Sequence, residues 1–171
     1  AAHYGRLEIV LLLIRRGCTV DFVNSKGTTA LMRASQEGHV DIATVLILAN
    51  CNVNRKNGEG LSALMLASLK GHVEIVIELL RAGAHVDDQT TQGSTALMLA
   101  CKRGRDDVVE ALVANGAEIC MNDSRNCTAM VMAASRKHSS CLKFLSTEVG
   151  DVTGRWIFEL LVYMNCVLLL F

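Results

Sequence analysis

Proline is absent from the 171 residues, and aromatic side chains make up only 4% of them. Base-stacking platforms and aromatic-lined cofactor pockets are therefore poorly supplied. An excess of either charge is lacking too: 17 Lys and Arg balance 17 Asp and Glu, so the formal net charge is zero. The basic footprint of a dedicated nucleic-acid binder is missing, and nucleic acid drops out as a partner. The seven cysteines include no CxxC pair and no tight His/Cys cluster. They point to a reduced, intracellular protein, cytoplasmic or nuclear, rather than a disulfide framework or a zinc module. The chain opens at Ala1 without a methionine or a charged-then-apolar leader, and is read as a fragment lacking a signal peptide. What it does have is apolar mass, 51% of the residues, which excludes intrinsic disorder.

Three series of residues recur at one period of 33: Gly5, Gly38, Gly71, Gly104; Gly27, Gly60, Gly93, Asn126; and Gly17, Asn50, Gly83, Gly116. They divide residues 1–148 into a partial unit at 1–26, full units at 27–59, 60–92 and 93–125, and a degraded unit at 126–148. A solenoid follows from such a period, because each unit buries its apolar face only against its neighbours.

Each unit reads the same way. Thr29, Ser62, Thr95 and Thr128 precede apolar runs, where a hydroxyl accepts from orphan N–H groups and starts a helix. Ala30/Ala34, Ala63/Ala67, Ala96/Ala100 and Ala129/Ala133 then place small residues on one helical face, so that neighbouring backbones approach closely. Leu31, Leu64, Leu97 and Met130 fill the adjoining core position. After the Gly38 series comes a second apolar stripe, such as Ile75, Val76, Leu79 and Leu80, whose spacing is one face of a helix. Gly17, Gly83 and Gly116 suit the left-handed C-cap, which Asn50 also tolerates. A polar extended turn leads to the next unit.

Thr29-Ala30-Leu31-Met32-Arg33-Ala34, Ser62-Ala63-Leu64-Met65-Leu66-Ala67 and Thr95-Ala96-Leu97-Met98-Leu99-Ala100 resemble the Thr-Pro-Leu-His-x-Ala signature of the ankyrin repeat. Gly38-His39-Val40-Asp41-Ile42 and Gly83-Ala84-His85-Val86 are similar to that family's second-helix start and exit. The resemblance implies an all-α repeat solenoid of stacked helix-turn-helix units with protruding β-turn or hairpin fingers. Two departures stand out. Alanine replaces every signature proline, and Met32, Met65, Met98 and Val131 replace the histidine. Where the family's histidine ties turns together, this array is expected to rely more on apolar packing. In the last unit Lys137 and Val149 stand where glycine is usual, and a β-branched residue is strained in a left-handed conformation. That unit is therefore expected to close abnormally.

Residues 149–171 leave the repeat register. Trp156–Phe171 is apolar except for Glu159 and Asn165, and as a helix would span roughly 24 Å against the ~30 Å of a hydrocarbon core. This hydrophobic tail is open to three readings: an end outside the working fold, a helix covering the last unit, or a membrane anchor.

Candidate chemistry is sparse. His39 and His72 repeat at the period and read as structural. Cys18 and Cys51 are small fillers one repeat apart, and Cys101, Cys120, Cys127 and Cys141 lack metal-ligand spacing. No glycine-rich phosphate loop and no nucleophile elbow occurs. No enzyme, metal or cofactor is implied.

A surface remains. In the ankyrin family the finger tips and the exposed side of the first helices form a concave groove that binds other proteins. The matching positions here are Arg33, Leu66, Leu99 and Met132, then Leu69/Lys70, Lys102/Arg103 and Arg136. Finger positions add Ser25, Lys26, Thr28, Glu59, Leu61, Gln92, Ser94 and Arg125. Leu66, Leu99 and Met132 read either as an exposed apolar strip or as inter-repeat contacts. The row turns basic toward the C-terminal side, which suits a protein or peptide with an apolar anchor and acidic residues. The expected role is a monomeric, non-catalytic protein-binding scaffold. The alternatives are a membrane-associated protein held by its tail, and the targeting module of a larger enzyme.

Ala63→Leu is expected to overpack the helix stack and to lower stability by roughly 1–3 kcal/mol. An unchanged denaturant midpoint would remove that alanine from the stack.

Overall fold

A computed structural model describes residues 1–148. Val149 and the apolar tail lie outside the described residues. A single 3-10 turn at Ala2–Tyr4 precedes nine α-helices among those described: α1 Leu7–Arg15, α2 Ala30–Glu37, α3 Val40–Leu48, α4 Ala63–Lys70, α5 Val73–Arg81, α6 Ala96–Arg103, α7 Asp106–Ala114, α8 Ala129–Ser135 and α9 Ser139–Glu148. Even-numbered helices stack on one another in one row, and odd-numbered helices stack in a second row behind them. Each even helix also packs on the odd helix that follows it.

The hydroxyl caps set where the first helix of each unit begins. Thr29 Oγ1 accepts from the Met32 N–H at 3.2 Å, and Ser62, Thr95 and Thr128 accept at 3.3 Å from Met65, Met98 and Val131. The methionines do more than pack. Met32 Sδ accepts the Thr29 N–H at 3.4 Å and Met98 Sδ the Thr95 N–H at 3.5 Å. A buried thioether therefore serves as a weak acceptor, in addition to the apolar packing expected of it. The second helices have no side-chain cap. Glu8, Asp41, Glu74, Asp106 and Asp107 in their first turns complement the helix dipole instead.

Ala34, Ala67, Ala100 and Ala133 are all 0% exposed. With no side chain beyond Cβ, they set how closely the first helices approach. Ile42, Ile75 and Val108, with Leu46, Leu79 and Leu112, fill the space between the two rows. Ile9 and Leu13, the corresponding residues of α1, are exposed at the end of the stack.

A second set of links joins unit to unit through polar groups. The His72 ring lies against Gly38, with its Nε2 3.3 Å from the Gln36 carbonyl oxygen, and His39 repeats the contact on Gly5 and His3 at 3.2 Å. Histidine at this place is structural: Gly5, Gly38 and Gly104 leave the room that the rings of His39, His72 and His138 use, and at Gly71 the Arg105 side chain takes that room. Lys137 adopts φ 61 where the other units have glycine, and α8 and α9 still form and pack together. The abnormal closure expected at Val149 lies outside the described residues. A lysine reaches the left-handed region at a cost of about 1–2 kcal/mol, and the helices on either side of it hold.

The fingers take the turn form, and no strand occurs among the described residues. Asn24 Oδ1 accepts from the N–H groups of Lys26 and Thr28, and Asn57, Thr90 and Asp123 do the same in the following fingers. Adjacent fingers are joined by Gly58 N–H to Lys26 O, Thr91 N–H to Glu59 O and Ser124 N–H to Gln92 O, at 3.0–3.2 Å. Behind them, Asp21, Asn54 and Asp87 each accept a backbone N–H of the next unit, from Asn52, His85 and Glu118, at 2.9 Å.

Gly38 and Gly83 both sit at φ 82, but a Cβ on Gly38 would meet the His72 ring at 2.6 Å, whereas one on Gly83 would meet nothing within 4 Å. Gly83→Ala is expected to cost the conformational penalty alone, about 1–2 kcal/mol, and Gly38→Ala distinctly more. The excess should shrink in a His72→Ala background, as chemical denaturation of the four proteins would reveal.

Candidate functional site

The exposed side of the first helices and the finger tips share one hollow. It measures about 220 Å³ and is lined by Leu99 and Lys102 of α6, Glu59 and Leu61 of the second finger, Thr90, Thr91, Gln92 and Ser94 of the third and Arg125 of the fourth. Helix α6 supplies two of these residues because they are three apart, which places them on one side of a helix. The side-chain-capped turns fix the others within each finger, and backbone hydrogen bonds tie each finger to the next. Leu61, Leu99 and Lys102 are half-buried, and Glu59 and Arg125 are exposed.

Other anticipated residues fall elsewhere. Leu66 is 7% exposed and Met132 6%, so both belong to the core and the contiguous apolar strip does not exist. The first helices approach so closely that these side chains close over the neighbouring helix, and Leu99 alone of the three stays partly open. Leu69 is half-buried, and Lys70, Arg103 and Arg136 are exposed at or just beyond the ends of α4, α6 and α8. Arg33 is remote from the hollow. It donates to Gln36 at 3.1 Å and borders an apolar recess at the N-terminal end, with Val10, Leu13, Phe22 and Leu46.

The electrostatics favour an anion in the C-terminal half. Among the described residues the ion pairs are His3–Glu37, Lys56–Asp88, Arg81–Glu78, His85–Asp88 and Arg125–Asp123. Among the described residues, Lys70, Lys102, Arg103 and Arg136 therefore have no carboxylate within 4.0 Å. Arg125 is oriented by Asp123, whose side chain is almost wholly buried and lies 3.4 Å from the guanidinium. Burial alone would raise the Asp123 pKa. The N–H groups of Cys127 and Arg125, together with the Arg125 charge, outweigh it and hold the carboxyl below its ordinary value.

The buried thiols show the opposite behaviour. Burial, and then the Asp21 charge, pushes Cys51 up to about 11. Cys141 rises to about 12 through burial and its hydrogen bond to Asp106. Cys101 is raised as well, again mainly by burial. Such thiols stay protonated at neutral pH and make poor nucleophiles. The six cysteines among the described residues are all free, and no helix there is long and apolar enough to cross a membrane.

Asn24, Asn57, Thr90 and Asp123 were not anticipated as turn builders, nor Asp21, Asn54 and Asp87 as links. Their residue types change from unit to unit. The legible signal is a short side-chain oxygen recurring at one repeat position.

A row of paired helices with hydrogen-bonded fingers and a hollow between them is a helical-repeat solenoid that presents an extended recognition face. The family model described as Ankyrin repeats matches in three copies, over residues 1–90, 40–123 and 78–155. The chain belongs to the ankyrin-repeat family. Comparison with curated proteins gives no match. Ankyrin repeats are generally protein–protein interaction modules and typically non-catalytic.

Because Asp123 has a lowered pKa when folded, it stabilises the fold above the ordinary carboxylate range. That contribution is lost as pH falls through the lowered value. Asp123→Asn should therefore flatten the decline in thermal stability below about pH 4 relative to the parent chain. Parallel declines in the two proteins would exclude the carboxylate as the cause.

Proposed function

We propose that this chain is a non-catalytic scaffold that binds another protein on the groove formed by its first helices and fingers. The partner presents an apolar anchor and acidic residues. The observation that carries this reading is the set of cations Lys70, Lys102, Arg103 and Arg136, which have no carboxylate of the described chain within ion-pair distance. The stack needs apolar residues in its core and sets no requirement for cations along the groove side. Complementary charge supports partner orientation and encounter rate more than raw affinity. Leu61, Leu69 and Leu99 offer half-buried apolar surface beside those cations. Arg33, at the other end, supports a second contact if the partner is long enough to reach it.

The test is affinity capture from cell lysate with the whole chain and with a Lys102→Glu/Arg103→Glu/Arg136→Glu variant of matched circular dichroism. Partners held by the parent and released by the variant are expected, with retention falling as salt is raised. Equal capture by both proteins would remove function from this groove. Leu66→Glu is unsuitable as the control, since it places a carboxylate in the core and reports on folding.

A further inference from the structure

We infer that the hollow between the second, third and fourth fingers is a two-part site for an extended acidic segment. An aliphatic side chain rests on Leu61 and Leu99, and a carboxylate two residues along the same strand reaches Lys102 and Arg125. This deepens the groove reading and rests on it.

The argument comes from where the repeat breaks its own symmetry. The position of Lys102 is held by Gln36, Leu69 and Ser135 in the other units, so lysine occurs there once. The position of Leu61 is held by Thr28, Ser94 and Cys127, so leucine also occurs there once. Leu99 corresponds to Arg33, Leu66 and Met132; of the three apolar members Leu66 and Met132 are buried, while Leu99 remains half-open. The stack dictates residues that face its core; it does not dictate Leu61 and Lys102, which face the hollow. Two departures and the half-open Leu99 therefore meet in one space of about 220 Å³.

Each wall has a chemical preference. Leu61 and Leu99 provide an apolar floor. Lys102 is half-buried without a carboxylate partner among the described residues, so an incoming anion finds a cation already stripped of part of its water. Arg125 is held by Asp123 from below, and its guanidinium stays exposed. Glu59, on the opposite side, accepts backbone N–H groups of the segment and repels a ligand that places its acid over the apolar floor.

The spacing follows from helix geometry. Side chains three apart on a helix, such as Leu99 and Lys102, have Cβ atoms about 5–6 Å apart. Residues two apart in an extended strand lie on one face, separated by roughly 6.6 Å. Adjacent residues point to opposite faces and cannot use both parts of the site.

Three capped pentapeptides, titrated into the isotope-labelled whole chain and followed by amide chemical shifts, test this. They are Ser-Leu-Ser-Glu-Ser, its Gln counterpart Ser-Leu-Ser-Gln-Ser, and the adjacent arrangement Ser-Ser-Leu-Glu-Ser. The first is expected to shift Gln92, Leu99, Lys102 and Arg125, and to bind at least fivefold more tightly than the other two. Lys102→Met should abolish that preference and Lys102→Arg should keep it, both with spectra of folded protein. Equal binding of the three peptides, or a preference that survives Lys102→Met, overturns the inference. Shifts confined to α2 or α8 also overturn it while leaving the groove reading in place. If no peptide shifts this face and lysate capture is indifferent to the groove charges, both readings fall together.

Discussion

The closeness of the first helices is the constraint on which the rest of the molecule depends. Ala34, Ala67, Ala100 and Ala133 have no exposed surface, and anything larger at those places would push units apart. That spacing lets His39 and His72 reach the preceding turn, and it lets one finger's N–H find the carbonyl of the one before. It also decides which side chains remain outside. Leu66 and Met132 are swallowed by the stack, whereas Leu99 is left at the edge of a hollow.

Two systems of contacts therefore run along the array. The apolar one is short-range and nearly identical in each unit, as a quasi-one-dimensional fold requires. The polar one is carried by residues that differ in type but agree in chemistry: Asn24, Asn57, Thr90 and Asp123 within the fingers, and Asp21, Asn54 and Asp87 between units. An oxygen acceptor at the right reach is all that each place needs. Identity drifts as a result, while the hydrogen bond persists.

The proposed recognition surface lies on what the two systems leave free. The formal charge is zero, yet Lys70, Lys102, Arg103 and Arg136 have no ion-pair partner among the carboxylates of the described residues. Five acidic residues, Glu8, Asp41, Glu74, Asp106 and Asp107, stand instead in the first turns of the second helices, where they serve the helix dipoles.

The period, the hydroxyl caps, the alanine pairs and the left-handed glycines were legible in the amino-acid order, because each is a local requirement repeated until chance is excluded. Those signals were enough for the solenoid. The exposure of Leu66, Leu99 and Met132 was not legible: three apolar residues at one repeat position look alike in sequence, and only the helix packing buries two and leaves one partly open. Nor could the sequence tell that Lys137 accepts a left-handed backbone, since that depends on helices α8 and α9 packing on each side of it. Local chemistry sets the repeat. Long-range packing settles which residues of the repeat meet solvent, because burial belongs to neighbours that are a full unit away along the chain.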